Sequence, residues 1–125
     1  MRGDQMSGRA FIYTRPQRNK KGELVDDNAQ QVTRCQDYAR ENGYQVTRIL
    51  QEEEHGPEDE RPELKSLRSA IWLGKLDVLI APRPETLYQD TNRLVRLAKE
   101  LSMIQARLEF VDVDINQYEL EEDGV

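Results

Sequence analysis

Arg15, Arg61 and Arg83 are the residues of this chain whose chemistry is most suggestive. Arg15 opens the run Arg15-Pro16-Gln17-Arg18, which carries the backbone off the end of an apolar segment. A guanidinium there can bind a phosphate or a carboxylate, and Arg61 and Arg83 are placed to converge on the same edge, with Arg18 beside them. The plainer reading pairs Arg15 with Glu85 or another local acid. Gln17 either hydrogen-bonds a ligand or faces water. His55, the single histidine, sits beside Gly56 among acids. A metal held with Glu53 and Glu54 is conceivable, and a solvated loop histidine is the expectation. No metal or cofactor is expected. There is no Gly-x-Gly-x-x-Gly and no P-loop, which counts against a nucleotide bound in those ways.

These residues need a scaffold, and the pattern of apolar residues supplies one. Arg9-Ala10-Phe11-Ile12-Tyr13-Thr14 is rich in aromatic and β-branched side chains and reads as a strand. In an open α/β sheet the carboxyl edge of such a strand is where ligands bind. A polar loop is expected over residues 18–23, then a helix over residues 27–42, with Asp26 or Asp27 as N-cap and Gly43 just past its end. Ala29, Val32, Cys35 and Ala39 make its core stripe.

Residues 44–50 read as a second strand with Val46, Ile49 and Leu50 apolar. An acidic loop follows over residues 52–60, either solvated or docked on a basic partner. Pro62 starts a second helix that Gly74 closes, with Leu64, Leu67, Ile71 and possible burial of Trp72. An exposed Trp72 would instead point to an interface. Residues 76–81 (Leu-Asp-Val-Leu-Ile-Ala) have the near-continuous apolarity of a central parallel strand. Residues 82–86 form a proline-stiffened loop. A third helix spans residues 90–104, with Leu94, Val95, Leu97, Ala98 and Leu101 inward. Residues 108–111 give a fourth strand, and Ile115 and Tyr118 are able to extend an edge. Strands alternating with helices predict a parallel sheet joined by right-handed crossovers.

Composition bounds the function. A 125-residue chain makes one domain. Charged residues make up 34% of it and the net charge is −6, which argues against strong autonomous binding to DNA. The one cysteine, Cys35, excludes an internal disulfide and reads as a small buried hydrophobe. No apolar run reaches membrane-spanning length and no signal-peptide core stands at the N-terminus, so a soluble, cytoplasmic protein is expected.

The ordered motifs resemble the catalytic domain of the serine recombinases, the resolvase and DNA-invertase family. The resemblance lies in Tyr13-Thr14-Arg15 at a strand end, Cys35-Gln36-Asp37-Tyr38-Ala39 with Asn42-Gly43-Tyr44, and Glu60-Arg61-Pro62-Glu63-Leu64. It continues in residues 74–80 and 108–112. It implies a serine nucleophile two residues after Arg15, where this chain has Gln17. It also implies two phosphate-neutralising arginines at the positions of Thr86 and Gln89. An amide cannot form a phosphoserine link to DNA, and Thr14 and Ser7 are poorly placed substitutes. Losing the cationic groups as well removes the basis for phosphoryl transfer. Family members also continue into a long dimer-forming helix and a DNA-binding domain, and this sequence is expected to stop short of both.

The expectation is therefore a three-layer α/β/α domain, resolvase-like, with a mainly parallel sheet of four or five strands over residues 9–113. It lies between a disordered lead (residues 1–8) and an acidic tail (residues 114–125). The expected function is that of a pseudoenzyme: a regulatory or interaction module tied to DNA recombination or a mobile element. Two alternatives stand beside it. One is a small-anion or nucleotide-binding protein anchored by Arg15, Arg61 and Arg83. The other is a non-catalytic subunit of a heteromeric recombinase. Expected partners are DNA, weakly, or a recombinase subunit, with a homo-oligomer also open.

Overall fold

The computed structural model describes residues 8–53 and 61–112. Strand β1 is Arg9–Thr14. A hairpin of β2 (Gln17–Arg18) and β3 (Leu24–Asp26) follows, then helix α1 (Asn28–Glu41) and strand β4 (Gln45–Gln51). Helix α2 (Pro62–Trp72), strand β5 (Val78–Ala81), the helical turn α3 (Pro84–Leu87), helix α4 (Thr91–Met103) and strand β6 (Arg107–Phe110) complete the order. The main sheet has four strands in the order β4-β1-β5-β6, every neighbouring pair parallel. The expected three-layer α/β/α architecture with a parallel sheet is borne out, with four strands among the described residues.

Period-two alternation in the central strands divides the core in two. Ala10, Ile12, Val78 and Ile80 pack under α1 with Cys35 and Ala39. Phe11, Tyr13, Leu79 and Ala81 face the other way, against Leu64, Leu67 and Ile71 of α2 and Leu97 and Leu101 of α4. Strands β1 and β5 are thus covered on both faces, which explains why residues 76–81 lack polar alternation. Helix α1 starts where local chemistry dictates. The Asp27 carboxylate accepts from the Gln30 amide at 2.8 Å, and the Gln30 side chain accepts from the Asp27 amide at 3.1 Å, a reciprocal capping box. It ends where Gly43 takes a φ of 74°, a conformation a side chain would strain.

The structure corrects several expectations. Residues 18–23 are not simply a loop. Gln17 pairs with Asp26 and Arg18 with Leu24 in a hairpin tightened by Asn19, whose Oδ1 accepts from the Lys21 and Glu23 amides. Pro84 opens a helical turn within the supposed rigid loop, because its fixed φ suits a first helical position. Ala29, Val95 and Ala98 are exposed, and the buried stripe of α1 is Gln31, Cys35 and Ala39. Trp72 is 86% exposed. Gly8, assigned to the lead, is buried and its carbonyl accepts from the Gln45 amide at 2.7 Å. Residues 1–7, residues 54–60 with His55 among them, and residues 113–125 lie outside the described residues. No helix among the described residues is long and apolar enough to cross a membrane.

Burial pushes the Cys35 thiol up to about 12, with nearby Asp112 acting in the same direction. Since the thiolate is the reactive form, Cys35 of the folded protein should react with a thiol reagent slower than the unfolded chain by roughly three orders of magnitude. Stopped-flow labelling with and without denaturant checks this, and equal rates would contradict the burial.

Edge strand β6 carries a polar cluster on the α1 side. The Glu109 carboxylate accepts from the Tyr38 hydroxyl at 2.7 Å, the Tyr44 hydroxyl at 2.8 Å and Arg107 Nε at 3.2 Å. Burial alone would raise this carboxyl, but the two phenols and Arg107 outweigh it and hold it below the ordinary value. A depressed native pKa adds stability that is complete above the unfolded value, about 4.3, and is lost as pH falls through the native one. The stability difference between the native chain and Glu109→Gln should therefore be largest near neutral pH and shrink below about pH 4.3. Urea midpoints at pH 7 and pH 3.5 measure it, and a difference that does not change with pH excludes this cluster as an acid-sensitive element.

Candidate functional site

The chain leaves β1 toward β4 on one side and later returns to lay β5 and β6 on the other. Strands β1 and β5 therefore flank a topological switch point, and the crevice beyond their carboxyl ends is where such sheets take ligands. Residues 15–17 leave β1 there and residues 82–83 leave β5. An open groove of about 660 Å3 lies at this edge, lined by Gln17, Asp26, Gln30, Thr33, Arg34 and Arg83, with Val25 as its apolar member.

Gln31 builds the mouth of this groove from beneath. Its side chain is 1% exposed. Its Nε2 donates to the Arg15 carbonyl at 2.6 Å and the Asp26 carbonyl at 3.0 Å, while its Oε1 accepts from the Arg15 amide at 3.1 Å. One buried amide thus ties the end of β1 to the hairpin. Arg34 stiffens the wall. It donates two hydrogen bonds to Asp26, at 2.7 and 3.1 Å, and two to Asp112, at 2.9 and 3.2 Å. Hydrogen bonds to these two carboxylates raise the Arg34 pKa, so it stays cationic.

The expected anion anchors are placed differently from one another. Arg83 lines the groove and lies 3.7 Å from Glu85, the acid expected to pair with Arg15. Arg15 is half-buried, its backbone held by Gln31. Arg18 turns into its own hairpin and donates to the Gly22 carbonyl at 2.6 Å.

Arg61 does not join them at an open surface. It is 1% exposed, stacked near the rings of Tyr13 and Tyr88. Its guanidinium donates to the Tyr13 hydroxyl at 2.6 and 3.1 Å, the Leu87 carbonyl at 2.7 Å and the Thr86 carbonyl at 2.9 Å. Tyr13 in turn donates to Glu52 at 2.8 Å. Burial, against the pull of Arg61, raises the Tyr13 phenol well above its usual range, so it remains a donor. Glu52 uses its other lone pairs to accept from the amides of Glu63 at 3.1 Å and Leu64 at 2.9 Å. Helix α2 lacks a side-chain cap from its own N-cap residue, Arg61, and a carboxylate from the preceding loop serves instead. Arg61 is therefore the counter-charge of a remote helix cap.

The hydroxyls near Gln17 are occupied. Thr14 is 0% exposed and donates to Asn28 Oδ1 at 2.7 Å. Thr33 donates back to the Ala29 carbonyl at 3.1 Å. Gln17 itself is exposed on β2. Thr86 contributes its carbonyl to Arg61, and Gln89 is exposed. Among the described residues no three His, Cys, Asp or Glu side chains are grouped to hold a metal. The sequence alone pointed to no role for Gln31 or Arg34, offered Asp26 only as an N-cap and placed Glu52 only in the acidic loop. Gln31 had a signal, since it is the polar member of a four-residue spacing shared with Cys35 and Ala39.

The sequence matches the family described as the resolvase N-terminal domain over residues 10–124. The chain belongs to that family. The resemblance read from its motifs is thus borne out. Solved structures agree on the fold of this resolvase-type domain. The N-terminal catalytic domain of TP901-1 integrase is 20% identical, with a TM-score of 0.72 over 92% of this chain and 98% of that one. The C-terminal catalytic domain of ISC1926 TnpA, an IS607-like serine recombinase, is 22% identical, with a TM-score of 0.67 over 92% and 77%. The first open reading frame of transposon ISC1904 from Sulfolobus solfataricus P2 is 18% identical, again with a TM-score of 0.67, over 93% and 77%. A comparison with curated protein sequences gave no match.

Proposed function

We propose that this resolvase-type domain serves DNA rearrangement or a mobile element as a regulatory or interaction module that does not cleave DNA. The observation that carries the reading is the exposed amide of Gln17 where the family resemblance implies the nucleophilic serine. Among the described residues no neighbouring group takes over that role. Thr14 is sealed in the core, Thr33 is bonded to its own helix, and the Cys35 thiol is buried and pushed to high pKa. By the family resemblance, Thr86 and Gln89 fall at positions where cationic groups would neutralise a scissile phosphate, and Arg34 is already committed to two aspartates. The structural neighbours from ISC1926 and transposon ISC1904 support a mobile-element context.

In this reading the domain acts beside a complete recombinase subunit that supplies the chemistry. Incubated alone with supercoiled plasmid, the protein should leave the topology unchanged, and relaxed or nicked circles above the buffer control would overturn the assignment. Coexpression with an active recombinase should shift the product yield, and an unchanged yield would remove the regulatory role. The alternative anion-binding reading is weakened by Arg61, whose donors are spent on Tyr13, Thr86 and Leu87.

A further inference from the structure

The arginines that do gather at one surface are Arg68, Arg93 and Arg96, around a pocket of about 210 Å3 that also takes in Tyr88. Arg93 and Arg96 are three residues apart on α4 and so share a face, while Arg68 projects from α2. Helices α2 and α4 cover the side of the sheet opposite α1, so this pocket is separate from the groove at Arg34. Arg68 is held in place, donating to Glu100 at 2.7 Å and to the Tyr88 hydroxyl at 3.1 Å. Arg93 lies 3.9 Å from Asp90. Of the described residues that line this pocket, three carry guanidinium groups and none a carboxylate.

Arg68 and Glu100 also border a second hollow of about 370 Å3, lined by Ile71, Trp72, Met103 and Ile104. Trp72 is 86% and Met103 81% exposed, so neither side chain is accounted for by the core. Because Arg68 belongs to both, the cationic pocket and the apolar hollow form one continuous surface.

We propose that this α2–α4 face binds a compact organic phosphate, its anionic head among Arg68, Arg93 and Arg96 and its apolar or aromatic body on Trp72 and Met103. Guanidinium forks match phosphate oxygens, and an indole offers a flat face to an aromatic group. A long polyanion such as duplex DNA is a poorer fit, because the chain as a whole carries a net charge of −6.

Trp72 is the sole tryptophan, so indole fluorescence reports on this face directly. Titration of the full chain with phenyl phosphate should change Trp72 emission saturably, with inorganic phosphate binding more weakly. Arg96→Gln should weaken the response about tenfold and Arg83→Gln should leave it unchanged, since Arg83 lines the other groove. Arg96 is exposed, so the variant should keep the native circular dichroism and melting point. An emission change that never saturates, or one of equal strength in a folded Arg96→Gln, would overturn the proposal. So would a saturable response to duplex DNA with none to phenyl phosphate.

Discussion

Replacing Arg61 by leucine is expected to cost the domain about 3–5 kcal/mol of folding free energy, read as a fall in the urea midpoint at pH 7. The reason is the company Arg61 keeps. Its removal leaves the Glu52 carboxylate, 4.0 Å away and equally buried, without its counter-charge. It also leaves the Tyr13 hydroxyl and the Thr86 and Leu87 carbonyls without their donor. Such a loss is a large share of the 5–15 kcal/mol that holds a typical domain together. Lysine should restore only part of it, because one ammonium cannot reach three acceptors in the directions of a planar fork. Glu52→Gln should also destabilise, since a neutral amide caps α2 less well. The double variant should lose less than the sum of the two single ones, because each single change strands the other's charge. A loss below about 1 kcal/mol for Arg61→Leu would mean that water reaches this site and that the buried network is not what holds α2 to the sheet.

The second large effect belongs to Gln31. Gln31→Leu keeps the volume but strips partners from the Arg15 amide, the Arg15 carbonyl and the Asp26 carbonyl. Each buried polar group left unmatched costs about 1–3 kcal/mol, partly recovered where the opened groove admits water, so a total of about 2–4 kcal/mol is expected. The change should also be local. Hydrogen exchange at Arg15 and in the hairpin should accelerate, while amides of β5, covered on both faces, should hardly respond. Uniform acceleration across the sheet would mean that Gln31 acts on global stability and does not position the groove. Gln31→Glu separates the two halves of the contact, because it keeps the acceptor for the Arg15 amide and loses the donor to both carbonyls.

These two residues also show where sequence reasoning reached and where it stopped. Apolar periodicity located β1, α1, β4, α2, β5, α4 and β6 to within a residue or two, because each buries one stripe or both faces. Asp27, Gly43 and Pro62 marked helix ends through chemistry that is local to the chain. The β2–β3 hairpin was missed because its strands are short and their residues mostly exposed, which leaves no alternation to read. The burial of Arg61 was also missed. An arginine before a proline at a helix start looks solvent-facing, and only the tertiary approach of Tyr13, Glu52 and residues 86–87 turns it inward. Local pattern therefore placed Arg15 and Arg83 just past the carboxyl ends of β1 and β5 but could not say that Arg61 is spent on a helix cap. The same limit hid the α2–α4 arginines, which are distant in sequence and meet only when the two helices pack.

The central claim is that the resolvase fold persists here without the means to attack DNA. Trapping tests it most directly: supercoiled DNA is incubated with the protein, the reaction is stopped with detergent, and DNA-linked protein is sought before and after protease. The account predicts no covalent adduct at any protein concentration, because Gln17 has no ionisable oxygen and Thr14 is locked in the core. A protease-sensitive adduct would contradict it and would place a working nucleophile in this chain.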